Sequence, residues 1–323
     1  MKILTPKNFV SCALVVILFN PIFAYADQQQ SNPQNQTFTN CHCIAFRLEF
    51  VQDTFLNNVQ NTIIQTFDQK NASFTIGMAG KDIGNNPKVV GLIKDRLRDS
   101  NPPLVIANRG WDNLDHTQFP EEQQSASIKK SSDKISRIFG VTPLIFIPPF
   151  DKFNNDTLSA AQENGIKYLS SNSKLDPGPY DFKNTTLLHV PTTGTMAYLL
   201  DDDPFFKGKI LDKAMAKIQL SLIKNGFSVI SIRSQDFAVN SGTTYKNLVD
   251  GEKLQDLESL LDTIKENKIK IVTIDEVPQD AGQKSPSWVN NLNIWYERGD
   301  ISQNDILNAI NYLIDIKVIT YSN

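Results

Sequence analysis

The chain has 323 residues, with 32 Lys and Arg against 35 Asp and Glu and 40% hydrophobic residues. That length can bury a large core, while the slightly acidic balance excludes a partner held by its phosphate backbone, so no nucleic acid is expected. Three cysteines give no disulfide framework.

Lys2 and Lys7 precede an apolar stretch from Phe9 to Phe19, and Ala24-Tyr25-Ala26 supplies the small-x-small pattern that a signal peptidase reads. Asn20 and Pro21 leave the run short of the ~20 apolar residues a spanning helix needs. The expectation is a signal peptide over 1–26 and an exported chain, secreted or held at the cell surface. Loss of Lys2 and Lys7 takes the formal net charge from −3 to near −5. Residues 27–40, DQQQSNPQNQTFTN, are polar and without hydrophobic period, and read as a flexible leader. In an exported chain the triplets starting at Asn35, Asn71, Asn155 and Asn184 are candidate glycosylation acceptors on surface loops.

Order begins at Cys41-His42-Cys43. On an extended chain the two thiols face one way and the imidazole the other, which disfavours a three-ligand metal site. A disulfide across so short a gap is expected to be strained. An oxidised pair that pins the strand entrance and an intermolecular pair both stay open.

Short β-like runs then alternate with helical patterns. IAFRLEF is followed by a helix over 54–69, SFTIGM by one over 88–98, and LVIANRG by one over 121–139. PLIFIPPF, KYLSS, LLHVPTT, FSVISIRS and IKIVTIDEV continue the strands, with helices over 157–164, 210–224 and 251–266. Such repetition predicts a parallel sheet with helices outside it. About seven or eight units in roughly 240 residues predict a distorted (β/α)7–8 barrel over 41–277. Residues 278–285 break the pattern as a linker. A small α-helical hairpin is expected over 286–323, with Trp288 and Trp295 seven apart on one face. Gly299 ends its first helix, Ser302 with Asp305 starts the second, and Ile306, Ile310 and Leu313 line the inner side.

In an α/β barrel, chemistry sits where strands end. Those positions supply Arg47, Glu49 and Asp53, then Asn108, Arg109, Trp111, Asp112 and Asn113. Pro148-Pro149 with Asp151, His189, and Arg233 with Asp236 complete a polar mouth that is poor in metal ligands.

The order FRLEFVQD, IANRGWDN, FIPPFDKFN, FSVISIRSQDF resembles the polysaccharide deacetylases, metal-dependent N- and O-deacetylases of chitin, peptidoglycan and related glycans with a NodB-type barrel. The similarity runs over about residues 41–277. The resemblance implies a general base and a metal-binding Asp at the end of strand one, where this chain has Glu49 and Phe50. It implies two metal-binding His after strand three, where Arg109 and Asn113 stand. The late catalytic His falls on Arg233, and an Arg before the paired prolines falls on Ile147. Neither Phe nor Arg ligates zinc, and an amide oxygen is a poor substitute for imidazole. No metal cofactor and no deacetylation by the family mechanism are therefore expected. The competing enzyme reading, hydrolysis of C–N amide bonds in N-acetylated sugars, needs either metal-free hydrolysis or zinc on a shifted site of Asp112 and His116 with Asp115 or Glu49.

Without a metal, Arg109 and Arg233 pointing into the mouth would restore positive charge, with Glu49 as their salt-bridge partner. Guanidinium forks suit carboxylate, sulfate or phosphate groups. Arg47, Asp112 and Asp151 join this candidate binding set, and Trp111 could stack on a sugar face. The expected partner is a glycan or anionic sugar. His189 reads as a hydrogen-bonded barrel-rim residue. The last 38 residues are similar to short Trp-containing segments appended to secreted archaeal proteins, which implies envelope retention or an envelope protein partner. A non-catalytic structural envelope protein is the third reading.

Overall fold

The computed structural model describes residues 41–99, 101–172, 180–182, 185–200 and 210–278, together with positions between 295 and 312. The chain divides into Met1–Asn35 and Gln36–Asn323, and every described residue belongs to the second unit. The expected signal peptide and leader lie outside the described residues.

The elements follow in chain order as β1 (Cys43–Val51), α1 (Asn57–Gln69), β2 (Phe74–Met78), α2 (Pro87–Asp99), β3 (Leu104–Asn108) and α3 (Glu121–Phe139). Then come β4 (Ile145–Phe146), α4 (Asn155–Glu163), β5 (Tyr168–Leu169), β6 (Tyr180–Asp181), β7 (Leu188–His189), β8 (Gly194–Thr195) and α5 (Met196–Leu199). The last are α6 (Ile210–Asn225), β9 (Phe227–Ile232), β10 (Ala238–Ser241), β11 (Thr244–Val249), α7 (Gly251–Glu266) and β12 (Lys270–Val272). The main sheet runs β6-β7-β5-β4-β3-β2-β1-β9-β8, with β12 also paired to β1. All its ladders are parallel except β6 with β7. Parallel strands followed by covering helices make this a half-barrel, a distorted form of the expected (β/α) barrel.

The two-residue period of β1 sorts its side chains between two environments. Ile44, Phe46 and Leu48 pack outward into the larger core under the helices, where Phe67 of α1 sits 5.2 Å from Phe46 and 4.6 Å from Phe74 of β2. Cys43 and Ala45 point inward and join Ala107, Ile147, Val229 and Val272 in a separate apolar plug. The next two residues on that inward face are Arg47 and Glu49. The inner face is therefore apolar at its base and charged at its top, which builds a site at the C-terminal end of the sheet.

Helix ends follow local chemistry. Asn154 and Thr157 cap α4 reciprocally, Asp250 accepts from the first turn of α7, and α3 stops at Gly140 in the left-handed conformation (φ 74°). Cys41 and Cys43 form an intrachain disulfide, so the intermolecular alternative is set aside. His42 between them takes φ 48°, a left-handed step that departs from the extended path assumed from sequence and lets both sulfurs meet. In the C-terminal segment Gly299 is left-handed (φ 74°), Ser302 donates to Asp305 and receives its backbone N–H in return, and Ile306 is buried. Trp288, Ile310 and Leu313 lie outside the described residues.

Candidate ligand-binding site

Four charged side chains from three strand ends meet at the top of the inner face. Arg47 of β1 is 1% exposed and donates to the backbone oxygen of Ser170 (2.6 Å), to Ser170 Oγ (3.1 Å) and to Asp151 Oδ1 (2.9 Å). It also pairs with Glu49, whose second oxygen accepts from Arg109 after β3. Arg109 spends its remaining reach on Asn113, whose Oδ1 accepts from Nε (3.3 Å) and Nη2 (3.2 Å). A continuous chain Asp151–Arg47–Glu49–Arg109–Asn113 thus ties β1, β3 and the segment after β4 together. Two cations balance two anions, which is the condition under which buried charges are tolerated.

Burial pushes the Glu49 carboxyl up, yet Arg47 and Arg109 outweigh it and hold the group below the ordinary carboxylate range. For Arg109 burial wins and its value falls, while Arg47, with two carboxylate partners, ends above its ordinary value despite burial. Glu49 is an ionised counter-ion here, a poor proton acceptor for a reacting group.

Room for Arg109 is provided by β2. A Cβ on Gly77 would lie 2.8 Å from Arg109 Cδ and 3.1 Å from Ile147 Cδ1, so only glycine lets the arginine lie across the sheet. Phe50 reaches the site by an irregularity. By strand alternation it belongs on the outward face with Leu48, but it takes φ 49° where the β1–β2 register shifts, so it lines the mouth and Val51 returns to the core.

Above this floor lies an open cavity of about 810 Å³. Its charged lining is Glu49, Asp151, Arg109 and Arg233, two of each sign. Phe50, Phe55 and Phe150 supply the apolar surface, and Gln52, Asn113, Thr195, Ser231, Ser234 and Gln235 are among the polar groups. Phe55, Phe150 and Gln235 were missed from sequence, although Phe150 directly follows Pro148-Pro149 at a strand end, the one signal that marks it.

Several sequence expectations change. Arg47 is withdrawn from the ligand set, because its guanidinium is enclosed by protein partners and it does not line the cavity. Arg233 lines the rim but pairs with Asp236 (3.0 Å) instead of Glu49, whose partners are Arg47 and Arg109. The two arginines therefore restore no free positive charge. Trp111 is outside the cavity lining. Gly110 (φ 77°) turns the chain, Trp111 N–H donates to Ser127 Oγ (2.8 Å), and Lys130 of α3 sits 3.8 Å from its ring centre. Asp112 is likewise absent from the lining. Asp53 serves structure, accepting from Asn85 N–H.

The shifted metal site is not assembled. His116 is 2% exposed, with Nδ1 against the Leu114 carbonyl (2.9 Å) and Nε2 against Ser127 Oγ (3.2 Å). Asp115 binds Thr117 and Lys152. Among the described residues no three His, Cys, Asp or Glu groups stand close enough to share an ion. At the positions where the family resemblance expects ligands, Phe50 has no donor atom, Arg109 is itself a cation, and Asn113 Oδ1 already accepts from that cation. This donor set does not fit a divalent metal. His189 is fully buried, with Nε2 2.7 Å from Ser171 Oγ, and burial first and Arg47 second pull its pKa to about 3.

The parallel half-barrel carries its cleft at the C-terminal strand ends, where α/β barrels place their sites. Residues 46–169 match the model of the polysaccharide deacetylase family. Its fold is similar to that of a Mycobacterium smegmatis protein assigned to the polysaccharide deacetylases, with TM-score 0.55 and 12% identity over 74% of this chain and 90% of that one. It is also similar to a CE4 family pseudoenzyme from Bacillus anthracis, with TM-score 0.50 and 10% identity over 75% and 67% of the two chains. A mutant CE4 family pseudoenzyme with restored enzymatic activity matches at TM-score 0.50 and 11% identity, over 75% and 70%. At these identities the likeness is one of fold.

Proposed function

We propose that this is a secreted glycan-binding protein of the deacetylase fold that does not perform metal-dependent deacetylation. The observation that carries the reading is Arg109, a guanidinium fixed to Glu49 and Asn113 at the floor of the cavity. Metal-dependent acyl hydrolysis needs a cation that polarises the carbonyl and acidifies a water, followed by a base to take the proton. Here the cation has no open coordination position and the only carboxylate at the base position is its counter-ion. What remains is a cavity with phenyl, amide and hydroxyl lining, the mixture that recognises sugars. A structural relative described as a pseudoenzyme supports the view that this fold persists without its chemistry.

Lys2, Lys7, the Phe9–Phe19 run and Ala24-Tyr25-Ala26 support export. The C-terminal segment with its spaced tryptophans is assigned to retention at the envelope, and deletion from Ser285 onward is expected to release the protein. For the glycan reading, binding of N-acetylglucosamine and xylose oligomers is measured beside acetate release, with and without added zinc. Saturable binding with no acetate supports the proposal. Acetate released in proportion to protein overturns it.

A further inference from the structure

We propose that Phe150 selects the ligand of this cavity by stacking on the face of a pyranose ring, and that the pair between buried Arg47 and half-buried Asp151 is what presents it. The inference rests on the glycan-binding reading and makes it specific.

Phe150 is 64% exposed, as much as any large hydrophobic side chain among the described residues. Its backbone is in the left-handed region (φ 59°), and so is that of Asp151 (φ 57°), directly after the stiff Pro148-Pro149 pair. Burial would favour a phenyl group turned inward, and L-residues avoid this conformation. Two disfavoured terms therefore coincide at one residue, and fold stability accounts for neither.

The anchor is visible. Asp151 N–H donates to Pro148 O (3.0 Å), and its carboxylate accepts from Arg47 (2.9 Å). Arg47 is fixed in turn by Ser170 and Glu49. The floor of the cavity and its exposed ring are thus one mechanical unit, with Arg47 and Asp151 as positioning residues.

The lining identifies the occupant. Phe150 shares the cavity with Phe50 and with Phe55, which is 43% exposed, and Asn113, Thr195 and Gln235 lie on the same surface. A sugar has two apolar ring faces and a rim of hydroxyl groups, which matches phenyl rings interleaved with amide and hydroxyl groups. A lipid chain would call for an unbroken apolar wall. A small anion would call for a cation without a partner, whereas Arg109 is held by Glu49 and Arg233 by Asp236.

The test uses the full mature chain titrated calorimetrically with N-acetylglucosamine hexamer and, separately, xylohexaose. Phe150→Ala is expected to weaken binding at least about tenfold while its melting temperature stays with the native chain, since the ring is exposed. Phe150→Trp is expected to keep the affinity and to change its fluorescence on binding. In that background Asp151→Asn should lower the tryptophan anisotropy and weaken binding, because the ring loses its anchor. Equal affinity in native and Phe150→Ala overturns this inference alone and leaves the glycan reading standing. Loss in Phe150→Trp as complete as in Phe150→Ala overturns the stacking role. No binding of either oligomer by the native chain overturns both.

Discussion

Glu49→Gln strands a charge at the centre of the site, and the structure sets the size of the effect. Glu49 is 15% exposed and is shared by two guanidiniums that are 1% and 7% exposed. In the variant Arg47 still has Asp151, but Arg109 keeps only the neutral amide oxygen of Asn113. Removing one partner of a buried pair costs about 3–5 kcal/mol. At ~2–4 °C per kcal/mol for a large domain, the melting temperature should fall by roughly 10 °C. Arg109→Met alone should be milder, because Glu49 retains Arg47. In the Glu49→Gln background it should recover part of the loss by removing the stranded cation. Urea unfolding of the four chains gives the coupling energy directly. A Glu49→Gln loss below about 0.5 kcal/mol, or strict additivity of the two changes, would refute the interlocked charge chain.

Other consequences are open to measurement. Gly77→Ala brings a methyl group within 2.8 Å of Arg109 Cδ, so urea unfolding should show a loss of about 1–3 kcal/mol from overpacking. Acid should destabilise the protein in two stages. His189, at about 3 when folded against 6.5 ordinarily, is protonated first in the unfolded chain, so stability falls by about 1.4 kcal/mol per unit as pH drops below ~6.5. Glu49 is depressed when folded, so its contribution is complete above its ordinary value of 4.5 and disappears as pH falls through the lower folded value. His189→Gln should be less stable at neutral pH yet show a flatter slope between pH 6 and 4, and an unchanged slope would refute the first stage. Zinc or a chelator should leave the melting temperature unmoved, whereas a site filled at 100 times its dissociation constant would add about 2.7 kcal/mol.

Strand ends and helices were legible in sequence because hydrophobic period and caps are local. The helix expected over 121–139 is α3 residue for residue, and α7 likewise matches 251–266. Strands β4, β5 and β7 shrink to two residues each, paired with each neighbour at only one or two register positions. The β10–β11 hairpin, turning at Gly242 (φ 72°), was not expected, because it lies outside the strand–helix repeat. Within the site, position at a strand end was readable but orientation was not. Arg47 and Arg109 share an inward parity, yet one is sealed by Ser170 and Asp151 while the other reaches the cavity. Trp111 follows Arg109 by two residues, and the left-handed step at Gly110 sends it onto α3. Phe50 is the converse case, moved from the helix side to the mouth by one positive φ. Such single left-handed residues leave no periodic trace.

Arg109 occupies the cavity floor as a resident cation, and the cavity is expected to bind glycan without hydrolysing it. One titration tests it most directly. Purified protein lacking residues 1–26 is mixed with N-acetylglucosamine hexamer and one equivalent of zinc, and heat of binding, bound zinc and free acetate are read from the same sample. Saturable binding without retained zinc or acetate is the predicted result. Stoichiometric zinc with acetate accumulating on turnover would contradict it.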